Sequence, residues 1–201
     1  MNERVNRDVG AGATPLDLDA ELMLRVKDGD GASFGALLDK HRMAVVHFLY
    51  RMVQNRAVAE ELAQEVFLRV YRSRETYEPT AKFTTWLFRI ATHLALNSLR
   101  DGKHERVLER LDETSSDMPA RQVPDVRPSV EQSLVYQDKL DEVRRAVAAL
   151  PEKQRAAVLM HKYQEMEYTQ IAKVLNCSES AVKSLLFRAY ETLRARLAHM
   201  A

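Results

Sequence analysis

A chain of 201 residues, 29% charged and 46% hydrophobic, has the composition of an ordinary globular protein and is long enough for one large domain or two small ones. A formal net charge of +1 excludes a uniformly basic nucleic-acid coat, so any DNA-binding face must arise from local charge. One cysteine, no signal-type apolar core at the amino terminus and no apolar run near the roughly 18 residues of a membrane span exclude a disulfide framework and predict a cytoplasmic protein without membrane insertion.

Apolar residues recur at helical spacing along most of the chain, and its few Gly and Pro fall between the periodic segments, which predicts an all-α fold. Residues 1–15, with Gly10, Gly12 and Pro15, read as a loose tail. A helix from about Leu18 ends at Gly29-Asp30-Gly31, and a second runs from about Ala32 to Val53, with Phe34, Leu38, His41, Val45, Leu49 and Met52 on one face. A third covers roughly Ala57 to Arg74, with Leu62, Val66 and Val70 inside. The fourth covers about Phe83 to Arg100, with Phe83, Leu87, Ile90 and Leu94 inside. These four form a first helical domain over residues 16–100.

Pro119, Pro124 and Pro128 interrupt the next stretch, although Arg106 to Leu111 suits a short helix; residues 101–133 read as a flexible linker. Its eight acids against five bases make it acidic, whereas residues 134–201 carry eight acids and 11 bases and form the most basic segment. Periodicity resumes near Leu134, and Leu150-Pro151 precedes a helix starting near Glu152, Pro costing little at a first helical turn. Residues 134–201 form the second domain, whose last helix continues through Leu193 and Leu197.

The most informative segment is Glu167 to Ala189. Ile171 and Leu175 on one helix and Val182 and Leu186 on the next form an apolar seam, with Ala172 at the crossing and Cys177 in a three-residue turn. Ser178 is a good N-cap, and Glu179, Ser180, Lys183, Ser184 and Arg188 are short, polar or basic, as a helix in a DNA major groove requires. A plain helical hairpin has the same seam.

No catalytic grouping appears. The histidines at 41, 47, 93, 104, 161 and 199 match no metal-ligand spacing, and neither a Gly-rich phosphate loop nor a nucleophile elbow is present, so an enzyme, a metal or a cofactor is not expected. Two features of the first domain ask for a functional account. Glu60, Glu61, Gln64 and Glu65 form an acidic face opposite Leu62, Val66 and Val70. From Tyr77 to Arg100, aromatics interleave with Thr, basic and amide residues, a mixture able to stack bases and hold the phosphates of a single strand. Core packing accounts for Phe83 and Trp86 equally well.

Taken in order, AEELAQEVFLRVYR at 59–72, FTTWLFRIATHLALN at 83–97, Leu150-Pro151 with Arg155, and VKSLLFRA at 182–189 resemble the bacterial extracytoplasmic-function sigma factors, the group-four class of the sigma-70 family, from about Leu16 to Leu197. The resemblance implies a region 2 four-helix bundle and a region 4 helix-turn-helix domain on either side of the acidic linker. It implies a promoter-specificity subunit of core RNA polymerase, contacting its beta and beta-prime subunits. The polymerase-docking role falls on Glu60, Glu61, Gln64 and Glu65. Capture of an unstacked minus-10 base falls on Tyr77, Trp86, Arg89, His93, Asn97 and Arg100, His93 standing where many members have Asn. Reading of the minus-35 duplex falls on Ser180, Lys183, Ser184 and Arg188, with Leu185 in place of a frequent Arg. The resemblance further implies an anti-sigma factor partner, and a linker that occupies the polymerase's RNA path through Glu109, Asp112, Glu113 and Asp117, unless it is only a tether. The rival reading is a two-domain regulator that binds an operator as a dimer through the helix-turn-helix.

Overall fold

The computed structural model describes residues 17–106 and 130–200, and among these every regular element is helical. Helix boundaries follow from side chains that satisfy the free backbone donors of each first turn. Asp17 accepts from the Ala20 amide at 2.6 Å to start α1 (Leu18–Lys27). The chain then turns through Gly29, whose φ of 96° suits glycine, and Asp30 caps α2 (Gly31–Val53) by accepting from the Ala32 and Ser33 amides at 2.9 and 3.2 Å. The Ser33 hydroxyl adds a bond at 2.7 Å, and these donors hold the Asp30 carboxyl below its ordinary pKa. Asn55 caps α3 (Arg56–Arg72) through the Val58 amide at 3.1 Å. A 3-10 turn at Arg74–Thr76 leads by way of Tyr77 to α4 (Phe83–Arg106).

These helices form the first unit: α1 lies on α2, α2 on α3 and α4, and α3 on α4. Phe48 and Phe88, both 1% exposed, meet edge to face at 5.2 Å in its centre. Of the inner residues read from periodicity, Val45, Leu49, Met52, Val66, Val70, Phe83 and Leu87 are buried, each such aliphatic or aromatic side chain stabilising the fold by about 1.5 to 3 kcal/mol. His41 is also buried: its Nε2 lies 2.9 Å from Asp19 Oδ2, and Lys40 Nζ donates to Asp19 Oδ1 at 2.6 Å.

The second unit comprises α5 (Val130–Ala148), α6 (Glu152–Tyr163), α7 (Tyr168–Leu175) and α8 (Glu179–Arg196), with a last 3-10 turn at Ala198–Met200. Helix α7 starts with a capping box between Glu167 and Gln170 and ends at Asn176, whose φ of 49° suits its left-handed role. Ile171, Ala172, Val174, Leu175, Val182 and Leu186 are buried along the expected seam. The helices at either side of the linker differ from the sequence expectation: α4 runs on to Arg106 and α5 begins at Val130. Residues 107–129, and with them the acids from Glu109 to Asp117, lie outside the described residues.

The two units are in direct contact. Helix α7 packs on α4, and α2 touches α5 and α6. Buried Arg155 on α6 joins three helix ends: its guanidinium donates to the carbonyls of Ala148, of Leu150 at 3.1 Å, and of Met52 near the end of α2. Arg51 stacks on the Tyr163 ring at 4.1 Å across the same junction. No described helix is long and apolar enough to cross a membrane.

Candidate functional site

Helix α8 carries the clearest outward face. Ser178 starts it by accepting from the Ala181 amide at 3.2 Å, and Val182, Leu186 and Ala189 face the core. The positions between them point out, so Ser180, Lys183, Ser184 and Arg188 are exposed on one side. Lys183 pairs with Glu179 at 3.2 Å, an exposed contact worth little and easily exchanged for a phosphate. The Ser184 hydroxyl donates to the Ser180 carbonyl at 3.0 Å, and Arg188 Nε donates to the Ser184 carbonyl at 3.2 Å, which aligns both side chains along the helix. Two residues join this face that sequence reasoning passed over. Phe187, 68% exposed, lies beside Lys183, Ser184 and Arg188, and Lys153 from α6 lines a groove with Ser180, Ser184 and Arg188. Phe187 lies off the Val182, Leu186 and Ala189 seam, and an exposed aromatic with basic neighbours suits contact with sugar or a thymine methyl. Leu185 is half-buried against the core.

On α4, Arg89, His93, Asn97 and Arg100 recur at spacings of four and three and are all exposed, and half-buried Trp86 extends the same stripe by one turn. Two bases, one imidazole and one amide provide hydrogen-bonding and phosphate-binding groups, with the indole at the end for stacking. Tyr77 differs from the expectation. It is 4% exposed, and its ring meets Trp86 at 4.9 Å and Phe83 at 6.4 Å, so it buttresses the indole and offers no open stacking surface. Burial, reinforced by the charges of Asp17 and Asp19, pushes the Tyr77 phenol up to about 12.

The acidic row on α3 divides in two. Glu60 accepts from Arg56 Nε at 3.0 Å and Glu65 from Arg69 Nε at 2.7 Å, and the latter bond holds the Glu65 carboxyl below its usual range. Glu61 and Gln64 are exposed and have no such side-chain partner among the described residues, and Leu68, 48% exposed, continues their line. Half-buried Phe34, an inner residue of α2 by periodicity, meets the exposed Tyr71 of α3 at 5.1 Å, with Arg74 over the Tyr71 ring at 4.3 Å. Among the described residues no group of His, Cys, Asp and Glu is placed to hold a metal ion.

The arrangement defines a two-unit helical protein with a helix-turn-helix in its second unit and a separate acidic face on its first. Residues 37–105 match the family sigma-70 region 2, and residues 140–193 match sigma-70 region 4. The chain is 31% identical over 176 residues to the ECF RNA polymerase sigma factor SigW of Bacillus subtilis, spanning 86% of this chain and 93% of the relative. It is 35% identical over 179 residues to the RNA polymerase sigma factor CarQ of Myxococcus xanthus, spanning 89% and 97%. Two solved structures have the same fold. CnrH in complex with the cytosolic domain of CnrY superposes with a TM-score of 0.68 at 19% identity, over 92% of this chain and 100% of the other. The sigma factor RpoE in complex with the anti-sigma factor NepR from Bartonella quintana gives 0.67 at 19%, over 82% and 96%. The chain therefore belongs to the extracytoplasmic-function sigma factors of the sigma-70 family, transcription initiation factors that are not enzymes.

Proposed function

We propose that this sigma factor docks on the beta and beta-prime subunits of core RNA polymerase through α3, captures an unstacked minus-10 base with the α4 stripe, and reads the minus-35 duplex with α8. Exposure of two separate nucleic-acid stripes, Trp86 to Arg100 and Ser180 to Arg188, on a chain with a third, acidic face is the observation that carries this reading. On α3, Glu61 and Gln64 make the first contacts, because Glu60 and Glu65 must exchange their arginines. Such a row sets register and association rate more than affinity. Extruding a base costs a few kcal/mol. Trp86, propped by Tyr77, offsets part of that cost by stacking, while Arg89, His93 and Asn97 meet the base edge and Arg100 the backbone. On α8, Arg188 pairs with guanine or phosphate, Lys183 acts as a point charge, Ser180 and Ser184 position the backbone, and Phe187 and Lys153 widen the contact.

The protein works in the cytoplasm, and an anti-sigma factor restrains it; the similar fold of RpoE, solved with the anti-sigma factor NepR, supports this partner class. Promoter binding measured by fluorescence anisotropy, with and without core polymerase, tests the reading. Tight binding only with core present is the expected result. Tight, sequence-specific binding by a dimer of the free protein would instead identify an operator-binding regulator.

A further inference from the structure

One helix holds both ends of the stretch that leads into α4. Lys27 Nζ, from the last residue of α1, donates to the Tyr77 carbonyl at 3.3 Å, and Asp17, the N-cap of the same helix, accepts from the Phe83 amide at 3.1 Å. Residues 77–83 therefore run back along α1 from its end to its start. Between the two ties Glu78, Thr80 and Lys82 are exposed. Helix α1 also packs on the 3-10 turn before this segment and on α4 after it.

The tie at Phe83 has no local substitute. Phe83 opens α4, so its amide is one of the first-turn donors without an intrahelical partner. The residue before it is Lys82, whose ammonium carries donors and no acceptor, and the cap comes instead from Asp17. Both ties are made to backbone groups, so they set the path of the segment whatever side chains it carries. What holds the segment is itself firmly seated. Met23 and Val26 of α1 are 0% and 1% exposed, and Asp19 accepts from Lys40 of α2 and lies 2.9 Å from His41 Nε2.

Both ends bear on the indole. The Tyr77 ring lies 4.9 Å from that of Trp86, and Phe83, one turn before Trp86, lies 5.8 Å from it. We propose that Asp17 and Lys27 are positioning residues for base capture: α1 splints residues 77–83 and so fixes the Trp86 indole where an extruded base stacks. The link to base capture rests on the minus-10 reading above; the splint itself does not. A ring that has to be ordered at the moment of binding gives back part of the stacking energy that offsets extrusion, whereas a ring already held in place does not.

Trp86 is the one tryptophan of the chain, so its fluorescence reports the splint in the free, full-length protein. Lys27 is exposed, and Lys27→Met keeps an apolar stem while removing the donor. Acrylamide quenching of Trp86 should rise in Lys27→Met, and also in Asp17→Asn, which leaves one carbonyl oxygen for two amides; Lys27→Arg, which keeps a donor, should match the wild type. Quenching that is the same in wild type, Lys27→Met and Asp17→Asn would overturn the splint. The second measurement uses the protein bound to core polymerase and a promoter fork whose minus-10 segment is single-stranded, with each of the four bases placed in turn at every position of that segment. Lys27→Met should reduce the preference for the captured base about two- to tenfold, the net worth of one hydrogen bond, and Lys27→Arg should restore it. A preference lost in Trp86→Ala but kept in Lys27→Met would overturn the positioning role and leave the promoter reading standing. A wild type without base preference anywhere in that strand would overturn the minus-10 reading itself, and the positioning role with it.

Discussion

Asp17 and Phe83, 66 positions apart, are joined by a hydrogen bond: the Phe83 amide at the start of α4 donates to Asp17 Oδ2 at 3.1 Å, while the other carboxylate oxygen caps α1. One side chain thereby fixes the entry of α4, which carries the proposed minus-10 stripe, against the first helix of the unit. Asp17→Ala removes acceptors for two helix starts, and denaturant unfolding should show a loss of about 1 to 2 kcal/mol or somewhat more. Asp17→Asn, which keeps an acceptor, should lose less.

His41 makes the first unit sensitive to acid. Desolvation is the largest influence and lowers its pKa below 6.5, outweighing the opposing effect of Asp19; Lys40 also lowers it, and Asp17 raises it. The folded state therefore binds the proton less well than the unfolded chain does. Its contribution to stability is complete above pH 6.5 and is lost as pH falls from there through the lowered folded value. Unfolding midpoints measured between about pH 7.5 and 5.5 should fall with pH, and His41→Gln should flatten that slope.

The proposed reading face of α8 gives a graded series. Lys183→Ala or Arg188→Ala should weaken promoter binding by the core-bound protein by about 1 to 3 kcal/mol, and each phosphate-binding cation removed should reduce the salt slope by about 1. Phe187→Ala should weaken binding with no change in salt slope, because it takes away an apolar surface and no charge. Titrations at three salt concentrations separate the two classes.

Docking on polymerase should depend unequally on the acidic row. Glu61→Lys is expected to slow association with core more than Glu60→Lys, since Glu60 is already paired with Arg56 at 3.0 Å. Stopped-flow association at low salt reads the difference, which should shrink as salt rises.

Much of the fold was legible because local chemistry settles it. Asp30, Asn55 and Ser178 occupy N-caps, Gly29 makes a turn, and the apolar spacing of α2, α7 and α8 matches their buried faces. The outward stripe of α4 and the face of α8 followed from the same spacing, since what is not core on an amphipathic helix faces out. The rest needed contacts between distant residues. Arg155 and Met52 are 103 positions apart, and a buried arginine among apolar neighbours has no signature in sequence. Tyr77 sits in a non-helical stretch where periodicity says nothing about burial. The direct contact between the units was hidden for the same reason: α4 and α7 each present a mixed surface that two small domains on a tether explain equally well.

Transcription in vitro from a promoter library, by bacterial core polymerase with and without this protein, is the decisive measurement of promoter selection. New, discrete start sites should appear only when the protein is added and vanish with Arg188→Ala combined with Trp86→Ala. Start sites identical with and without the protein, although it co-purifies with core, would contradict that role.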